Sequence, residues 1–200
     1  QEGDLHATAV ANAFSRLCES ELNQDAGEGD FLISKTTYLR RIAGKTAALF
    51  ALSAYSGAAV TKAPKEKQFL LHRIGYLLGM AFQIQDDILD YTGDAKTLGK
   101  EIGQDVHIGI PTYPLIAAIA QEKREGKTAL YSLVKEKRKP TKRESKKIVA
   151  MAISYGGVTS AQLLVETYIN RALSDIDKLG NTEVESQLIS LYQKLSNRKK

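Results

Sequence analysis

The chain has 200 residues, of which 43% are hydrophobic, with four prolines and a single cysteine, Cys18. This is the size and composition of one ordinary globular domain, and a lone cysteine excludes an internal disulfide. The net charge of +5 does not describe a generally basic protein, because residues 135–147 hold eight basic and two acidic residues and leave about −1 for the rest. That strip has no aromatic side chains to stack on bases, so we expect no nucleic-acid partner and interpret it as a solvated connection between helices.

No targeting or membrane segment is predicted. The first residues are polar and acidic, and the longest uncharged run, residues 46–61, is shorter than the roughly 20 apolar residues that a membrane span needs. Together with the lone cysteine, these features favour a reducing, cytoplasmic location and no integral membrane segment.

The hydrophobic periodicity predicts one helix after another and no strand, so we expect an all-α, bundle-like fold. In chain order, the pattern places helices at residues 5–24, 34–42, 45–60, 64–90, 114–122, 128–137, 141–156, 160–179 and from 182 onward. Ser34, the pair Thr141 and Glu144, and Gly180 supply start and stop signals for three of them. Residues 93–111 are glycine-rich and show no period, so we expect a long loop of the kind that more often serves a substrate than a simple connection.

Three aspartates lie near the end of the apolar helix predicted over residues 64–90. In FQIQDDILDY, Gln83, Asp86 and Asp87 lie seven, four and three residues before Asp90, so the four side chains share one helix face. A carboxylate at the negative C-terminal end of a helix costs about 0.3–1 kcal/mol, and a hard cation with oxygen ligands removes this conflict. Mg²⁺ fits best because it shares its ligand shell with substrate phosphates. The alternative is a solvated acidic helix end with a chance Ca²⁺ site.

A phosphate held through a metal also needs cationic partners on the protein. The candidates are Lys45 with Thr46, at the predicted start of a helix, then Arg40 and Arg41 one turn earlier, and Lys100 in the glycine-rich loop. A cation is mildly unfavourable at a helix start, and this mismatch suggests that Lys45 faces a bound anion. The alternative for Lys45 is an ordinary surface lysine.

Taken in order, these motifs resemble the isoprenyl (trans-polyprenyl) diphosphate synthase family, in the C-terminal portion that includes the second aspartate-rich motif. The resemblance covers most of residues 17–116 and rests on an ordered series: ELNQ at 21–24, KT at 45–46, FQ at 82–83, DDILD at 86–90, GD at 93–94, LGK at 98–100, GQD at 103–105 and TYPL at 112–115. It implies an all-α, isoprenoid-synthase-type helical bundle around a central cavity. Residues 1–200 are then the C-terminal portion of a single prenyl synthase domain.

The resemblance also implies a reaction. An allylic diphosphate would condense with isopentenyl diphosphate through a Mg²⁺-assisted allylic carbocation, releasing diphosphate and giving a polyprenyl, geranylgeranyl or farnesyl product. Proteins of this family usually pair, so a homodimer or heterodimer is expected. Asp86 would be the foremost metal ligand, and the oxygens of Thr46 and Gln83 would favour the carbocation. The implied site residues are catalytic Lys45, Thr46 and Gln83, substrate-binding Lys45, Gln83 and Lys100, and metal-binding Asp86, Asp87 and Asp90.

The chain also departs from the family pattern. It lacks the first aspartate-rich motif and the upstream Gly-Gly-Lys and Arg-Arg-Gly segments that hold isopentenyl diphosphate. We therefore expect a fragment that is inactive by itself. Ile110 stands where many members have lysine, which puts one diphosphate contact in doubt, and the TYP pattern without that lysine is similar to long-chain synthases of two-component bacterial systems.

Three alternatives stay open. A class I terpene cyclase shares the fold, but usually has an Asn/Ser/Glu-type second metal motif. A catalytically silent partner subunit would be expected to lose its aspartates, and this chain keeps three. A nucleic-acid-binding module resting on residues 135–147 is the remote option.

Overall fold

A computed structural model describes residues 2–93, 102–136, 138–180 and 182–196. Within these ranges every regular element is helical, so the prediction of an all-α fold is confirmed. The elements are α1 (Glu2–Asp25), α2 (Lys35–Ile42), a π-helical turn (Ala43–Ala47), α3 (Ala48–Val60), α4 (Lys65–Thr92), α5 (Gln104–Ile108), α6 (Tyr113–Arg124), α7 (Ala129–Val134), α8 (Lys142–Ser154), α9 (Gly157–Ile176), a 3₁₀ turn (Asp177–Leu179) and α10 (Thr182–Ser196).

The predicted start and stop signals form as expected. Ser34 Oγ accepts a hydrogen bond from the Thr37 N–H at 3.0 Å, which caps α2. Thr141 and Glu144 form the predicted capping box of α8. Gly180 adopts a left-handed conformation with φ of 61° and ends the helical run that α9 begins.

Three sequence predictions were wrong in detail. No new helix starts at Lys45, because α2 continues through the π-helical turn directly into α3. Residues 93–111 are not wholly loop, since they include α5, which is too short to show a hydrophobic period. The helix expected over 128–137 covers only Ala129–Val134.

The chain divides into two compact units, to both of which α4 contributes residues. The first unit comprises Gln1–Leu22, Arg41–Gln83 and Val165–Arg198. Its core is an aliphatic cluster in which side chains from α4 meet side chains from the helical run that α9 begins. Fully burying one such side chain contributes about 1.5–3 kcal/mol. The cluster consists of Ile74, Leu77, Leu78, Ala81, Ile169, Ala172, Ile176 and Leu179.

Among the described residues, the second unit comprises those within Asn23–Arg40 and Ile84–Leu164. Its most deeply buried large side chains include Phe31, Tyr91, Leu115, Leu130 and Ile148. Two backbone segments meet closely where the Gly29 N–H donates to the Gly109 carbonyl oxygen at 2.8 Å. A Cβ on Gly109 would lie 2.7 Å from the Gly29 nitrogen, and both residues have positive φ, so only glycine suits this contact. The expectation that residues 1–200 belong to a single domain stays a prediction.

The basic strip at residues 135–147 is built into the second unit as the connection between α7 and α8. Arg138 Nη2 lies 2.7 Å from Glu144 Oε1, and Lys139 Nζ lies 2.5 Å from Glu28 Oε2. Lys137 lies outside the described residues. Exposed ion pairs of this kind contribute little stability, but they partly neutralise the positive charge of the strip. This agrees with the interpretation of the strip as a connection between helices.

We expect Glu144→Gln to remove part of the acid dependence of stability. Hydrogen bonds from Arg138, then from the backbone and hydroxyl of Thr141, lower the pKa of Glu144 to about 2 from 4.5. Because the pKa is lower in the folded chain, the carboxylate contributes fully above about pH 4.5, and its contribution is lost as the pH falls towards 2. Thermal melts from about pH 2 to about pH 6 test this. The Tm difference between wild type and variant should widen with rising pH, and a constant difference would contradict the prediction.

Among the described helices, none is by itself both long enough and apolar enough to cross a membrane. One sharply bent pair, Lys142–Ser154 with Gly157–Leu179, meets the length and composition criteria only when its two helices are taken together.

Candidate functional site

The acidic motif lies where the sequence predicts it, in the last turns of α4. The helix ends at Thr92, and the Gly93 N–H donates to the Leu89 carbonyl oxygen at 2.8 Å. Asp87 and Asp90 are 5% and 1% exposed, whereas Asp86 is half-buried. Burial of two carboxylates disagrees with the alternative of a solvated acidic helix end, because buried charges require partners. The structure supplies a partner for each of them.

Asp87 is held by a tyrosine from α2. The Tyr38 hydroxyl, in a side chain only 2% exposed, donates to Asp87 Oδ2 at 2.6 Å. Tyr38 stacks on Tyr113 with ring centroids 5.7 Å apart, and Lys35 Nζ lies 5.1 Å from the centroid of the Tyr113 ring. A short hydrogen bond to a carboxylate is among the stronger ones, so this packed pair of rings fixes the orientation of Asp87.

Asp90 is held by the beginning of α5. Its Oδ1 accepts from the Gln104 N–H and its Oδ2 from the Asp105 N–H, each at 3.1 Å. Its backbone carbonyl oxygen accepts from the Gly103 N–H at 2.8 Å. The charge that is unfavourable at the C-terminal end of α4 therefore lies at the favourable N-terminal end of α5. Backbone donors at the beginning of α5 thus offset the unfavourable position of Asp90, and its role as a metal ligand stays a prediction.

Tyr91 packs beside these carboxylates. Its ring is 2% exposed, and its hydroxyl shares a hydrogen bond with Thr112 Oγ1 at 2.9 Å. Burial is the main cause that raises the pKa of Tyr91, and the negative charges of Asp90, Asp105 and Asp87 raise it further. Tyr91 is therefore neutral, and Asp105 belongs to the same acidic surroundings as the motif.

Thr46 and Gln83, two of the predicted site residues, contact each other. The Thr46 hydroxyl donates to Gln83 Oε1 at 2.6 Å. Ala47, next to Thr46, is fully buried, and a Cβ on Gly79 would lie only 2.7 Å from its Cα. Small residues thus let the π-helical turn approach α4 closely enough for this hydrogen bond. Single π-helical turns inside α-helices are frequent at functional sites.

Lys45 pairs with an acid from α1. Its Nζ lies 3.2 Å from Glu21 Oε1, and both side chains are partly exposed. The helix-start argument for Lys45 was wrong, because Lys45 lies inside the continuous helical run from α2 to α3. A partly exposed ion pair of this kind contributes little free energy. The pairing with Glu21 therefore does not prevent the Lys45 amine from binding another anion. Lys100 lies outside the described residues, and Arg40 is exposed.

Within the part of the chain that the structure describes, no three His, Cys, Asp or Glu side chains form a group that could hold a metal ion. Mg²⁺ does not need such a group, because one or two carboxylates suffice when water and phosphate complete its shell. Asp86, the most accessible of the three aspartates, fits this requirement. Asp87 lies next to it with its orientation fixed by Tyr38.

Tyr38 is the residue of this site that sequence reasoning missed. It lies 49 positions before Asp87, and nothing in the local pattern of α2 distinguishes it from a core tyrosine. Only the folded chain shows this contact.

An all-α fold with an acidic motif at the end of a long helix agrees with the class of isoprenoid-synthase-type helical proteins, to which its structural neighbours belong. The family model described as polyprenyl synthetase matches residues 5–152. The chain belongs to the polyprenyl synthetase family, and the resemblance found in the sequence is confirmed.

Several relatives agree with this assignment. The chain is 32% identical over 184 residues to the octaprenyl diphosphate synthase of Haemophilus influenzae, a match that covers 91% of this chain and 55% of that protein. It is 32% identical over 185 residues to heptaprenyl diphosphate synthase component 2 of Geobacillus stearothermophilus, covering 92% and 56%. The polyprenyl synthase of Caulobacter crescentus CB15, solved with calcium and isoprenyl diphosphate, matches with a TM-score of 0.84 and 29% identity, covering 98% of this chain and 59% of that one. The chain thus spans somewhat more than half the length of these relatives.

Proposed function

We propose that this chain is part of a chain-elongating prenyltransferase. The reaction condenses an allylic diphosphate with isopentenyl diphosphate and releases diphosphate. The observation that carries this proposal is a DDxxD motif at the end of α4, with Asp87 and Asp90 buried and Asp86 accessible, in a member of the polyprenyl synthetase family. The curated relatives are named as synthases of octaprenyl and heptaprenyl diphosphate, which supports a polyprenyl product.

The proposed cofactor is Mg²⁺, with Asp86 as its foremost protein ligand and Asp87 beside it. When bound, Mg²⁺ supplies charge neutralisation to the diphosphate as the C–O bond breaks. Tyr38 keeps the Asp87 carboxylate in one orientation by donating to Oδ2. The calcium and isoprenyl diphosphate in the Caulobacter relative support a divalent cation with a prenyl diphosphate.

The remaining site residues are proposed to bind and orient the allylic substrate. Lys45 would exchange its weak pairing with Glu21 for the diphosphate, and Lys100 would contact the same group. The Thr46 hydroxyl donates a hydrogen bond to Gln83 Oε1, so the lone pairs of the Thr46 oxygen are left to stabilise an electron-poor carbon nearby. An allylic cation also requires the exclusion of water, which would otherwise quench it.

The assembly and the location are also proposals. We propose that the protein works as a homodimer or a heterodimer, and the name "component 2" of the Geobacillus relative supports a second subunit. The cytoplasmic location expected from the lone cysteine stays a prediction.

The proposed reaction is tested by incubating the full-length protein and Mg²⁺ with farnesyl diphosphate, with and without isopentenyl diphosphate. A prenyltransferase consumes the allylic substrate and lengthens it in five-carbon steps only when isopentenyl diphosphate is present. A terpene cyclase needs no second substrate, so an equally fast reaction without it would support the cyclase and contradict the proposal. No turnover in either mixture would support a silent subunit.

A further inference from the structure

The three aspartates of the motif differ in what they contact. Asp86 is half-buried, Asp87 accepts from a tyrosine hydroxyl, and Asp90 accepts from backbone N–H groups with both of its side-chain oxygens. Asp90 is also the most deeply buried of the three, at 1% exposure. A shared role as metal ligands does not explain this difference.

We propose that Asp90 is a positioning residue and not a metal ligand: it caps α5 and thereby holds Asp105 beside the acidic end of α4. That Asp90 caps α5 does not depend on the proposed function. That the cap affects catalysis does rest on the proposed function.

Three consecutive N–H groups converge on Asp90. The Gly103 N–H binds its backbone oxygen, and the N–H groups of Gln104 and Asp105 bind its two carboxylate oxygens. The first N–H groups of a helix have no partner within the helix and need one from outside. Two N–H dipoles therefore already compensate this carboxylate, and its side chain is only 1% exposed, which leaves little room for the waters that Mg²⁺ keeps in its shell.

A second carboxylate in the same unit, outside the DDxxD motif, also accepts hydrogen bonds from the first N–H groups of a short helix. Glu122, near the end of α6, is fully buried and accepts from the N–H groups of Leu130 and Tyr131 at 2.6 and 2.8 Å. These N–H groups belong to the first residues of α7, another short helix. An acid on one helix that caps the next short helix is therefore a repeated device in this unit, and it requires no metal.

The cap determines where Asp105 lies. Asp105 is the second residue of α5, and its own N–H is one of the groups that Asp90 binds. The next residue, Val106, is fully buried, and a Cβ on Gly103 would lie 2.9 Å from Val149 Cγ2. The start of α5 is thus held by Asp90 on one side and by packing on the other.

The first test is amide hydrogen exchange in the full-length protein without ligand. In Asp90→Ala, the amides of Gln104 and Asp105 should exchange about tenfold faster or more, because a hydrogen bond to a charged group is among the stronger ones. Asp90→Asn keeps the shape and one acceptor oxygen, so it should restore part of this protection. Asp86→Asn is the matched control and should leave both amides unchanged. Unchanged exchange in Asp90→Ala would overturn the cap.

The second test separates a cap from a ligand by titrating Mg²⁺ in the presence of inorganic diphosphate. Asp90→Asn should bind within about twofold of wild type, whereas Asp86→Asn should bind about tenfold more weakly or worse. In turnover, Asp90→Asn should lower kcat while the half-saturating Mg²⁺ concentration stays unchanged. Equal loss of Mg²⁺ affinity in the two variants would overturn the proposal. Failure of the wild type to bind would count against the proposed function, and hydrogen exchange would still decide the cap.

Discussion

Asp86→Asn should lower the kcat/KM of the full-length protein for chain elongation about a thousandfold, which corresponds to roughly 4 kcal/mol of lost transition-state stabilisation. Asp86 is the most accessible carboxylate of the motif, while both oxygens of Asp90 are already bound by the backbone. An amide is a far weaker Mg²⁺ ligand than a carboxylate, so the leaving diphosphate would lose its charge neutralisation. Initial rates of isopentenyl diphosphate incorporation at saturating Mg²⁺ measure the effect.

Glu66→Gln is the matched control for this experiment. Glu66 lies in the first turn of the same helix and is exposed, so its neutralisation should leave the rate within about twofold of wild type. Circular dichroism should show the same helix content in both variants. Retention of more than about a tenth of the wild-type kcat/KM by Asp86→Asn would show that Asp86 is not the principal ligand.

Gly79→Ala should destabilise the chain by about 1–3 kcal/mol, although alanine is normally the better helix former. The added Cβ would lie 2.7 Å from the Ala47 Cα and 3.0 Å from the Phe50 Cβ. The nearest atom belongs to the backbone, so the π-helical turn and α4 must move apart. That movement would stretch the 2.6 Å hydrogen bond between Thr46 and Gln83, which lies one turn beyond Gly79.

Catalysis should suffer along with stability, because misplacing a positioned group by about 1 Å can cost about a hundredfold in rate. Thermal melts and kcat measured on the same preparation test both effects. Gly57→Ala on α3 is the control, since an added Cβ there meets nothing within 4 Å. This variant should be stabilised by about 0.5–1 kcal/mol with unchanged activity. Stabilisation by Gly79→Ala as well would contradict the close-packing explanation.

The fold was largely predictable because most of its helices carry local information. Apolar side chains at helical spacing predicted α4 and α9, and the Thr141–Glu144 capping box placed the start of α8. The π-helical turn at Ala43–Ala47 was not predictable, since it arises where helices pack closely and leaves no mark in hydrophobic spacing. The five-residue α5 was missed because one turn and a half shows no period.

The candidate site was predictable where its residues share one helix or one short segment. Spacing alone placed Gln83 and the three aspartates on one face of α4, and Thr46 was found through its motif. Neither the hydroxyl of Tyr38 nor the N–H groups of α5 could be assigned to particular aspartates in advance. Those contacts join positions 14 to 49 residues apart. The sequence cannot distinguish the carboxylates of one motif before their hydrogen-bond partners are known.

By itself, the sequence determined the helical class, the acidic end of α4 and membership of the polyprenyl synthetase family, because all three depend on residue types at short spacings. Only the tertiary structure decided which partner each of the three carboxylates contacts. Asp87 meets a buried hydroxyl and Asp90 meets the start of α5, while Asp86 stays accessible. The physical reason is that a buried charge must find donors, and which donors reach it is settled by long-range packing rather than by its neighbours in the chain.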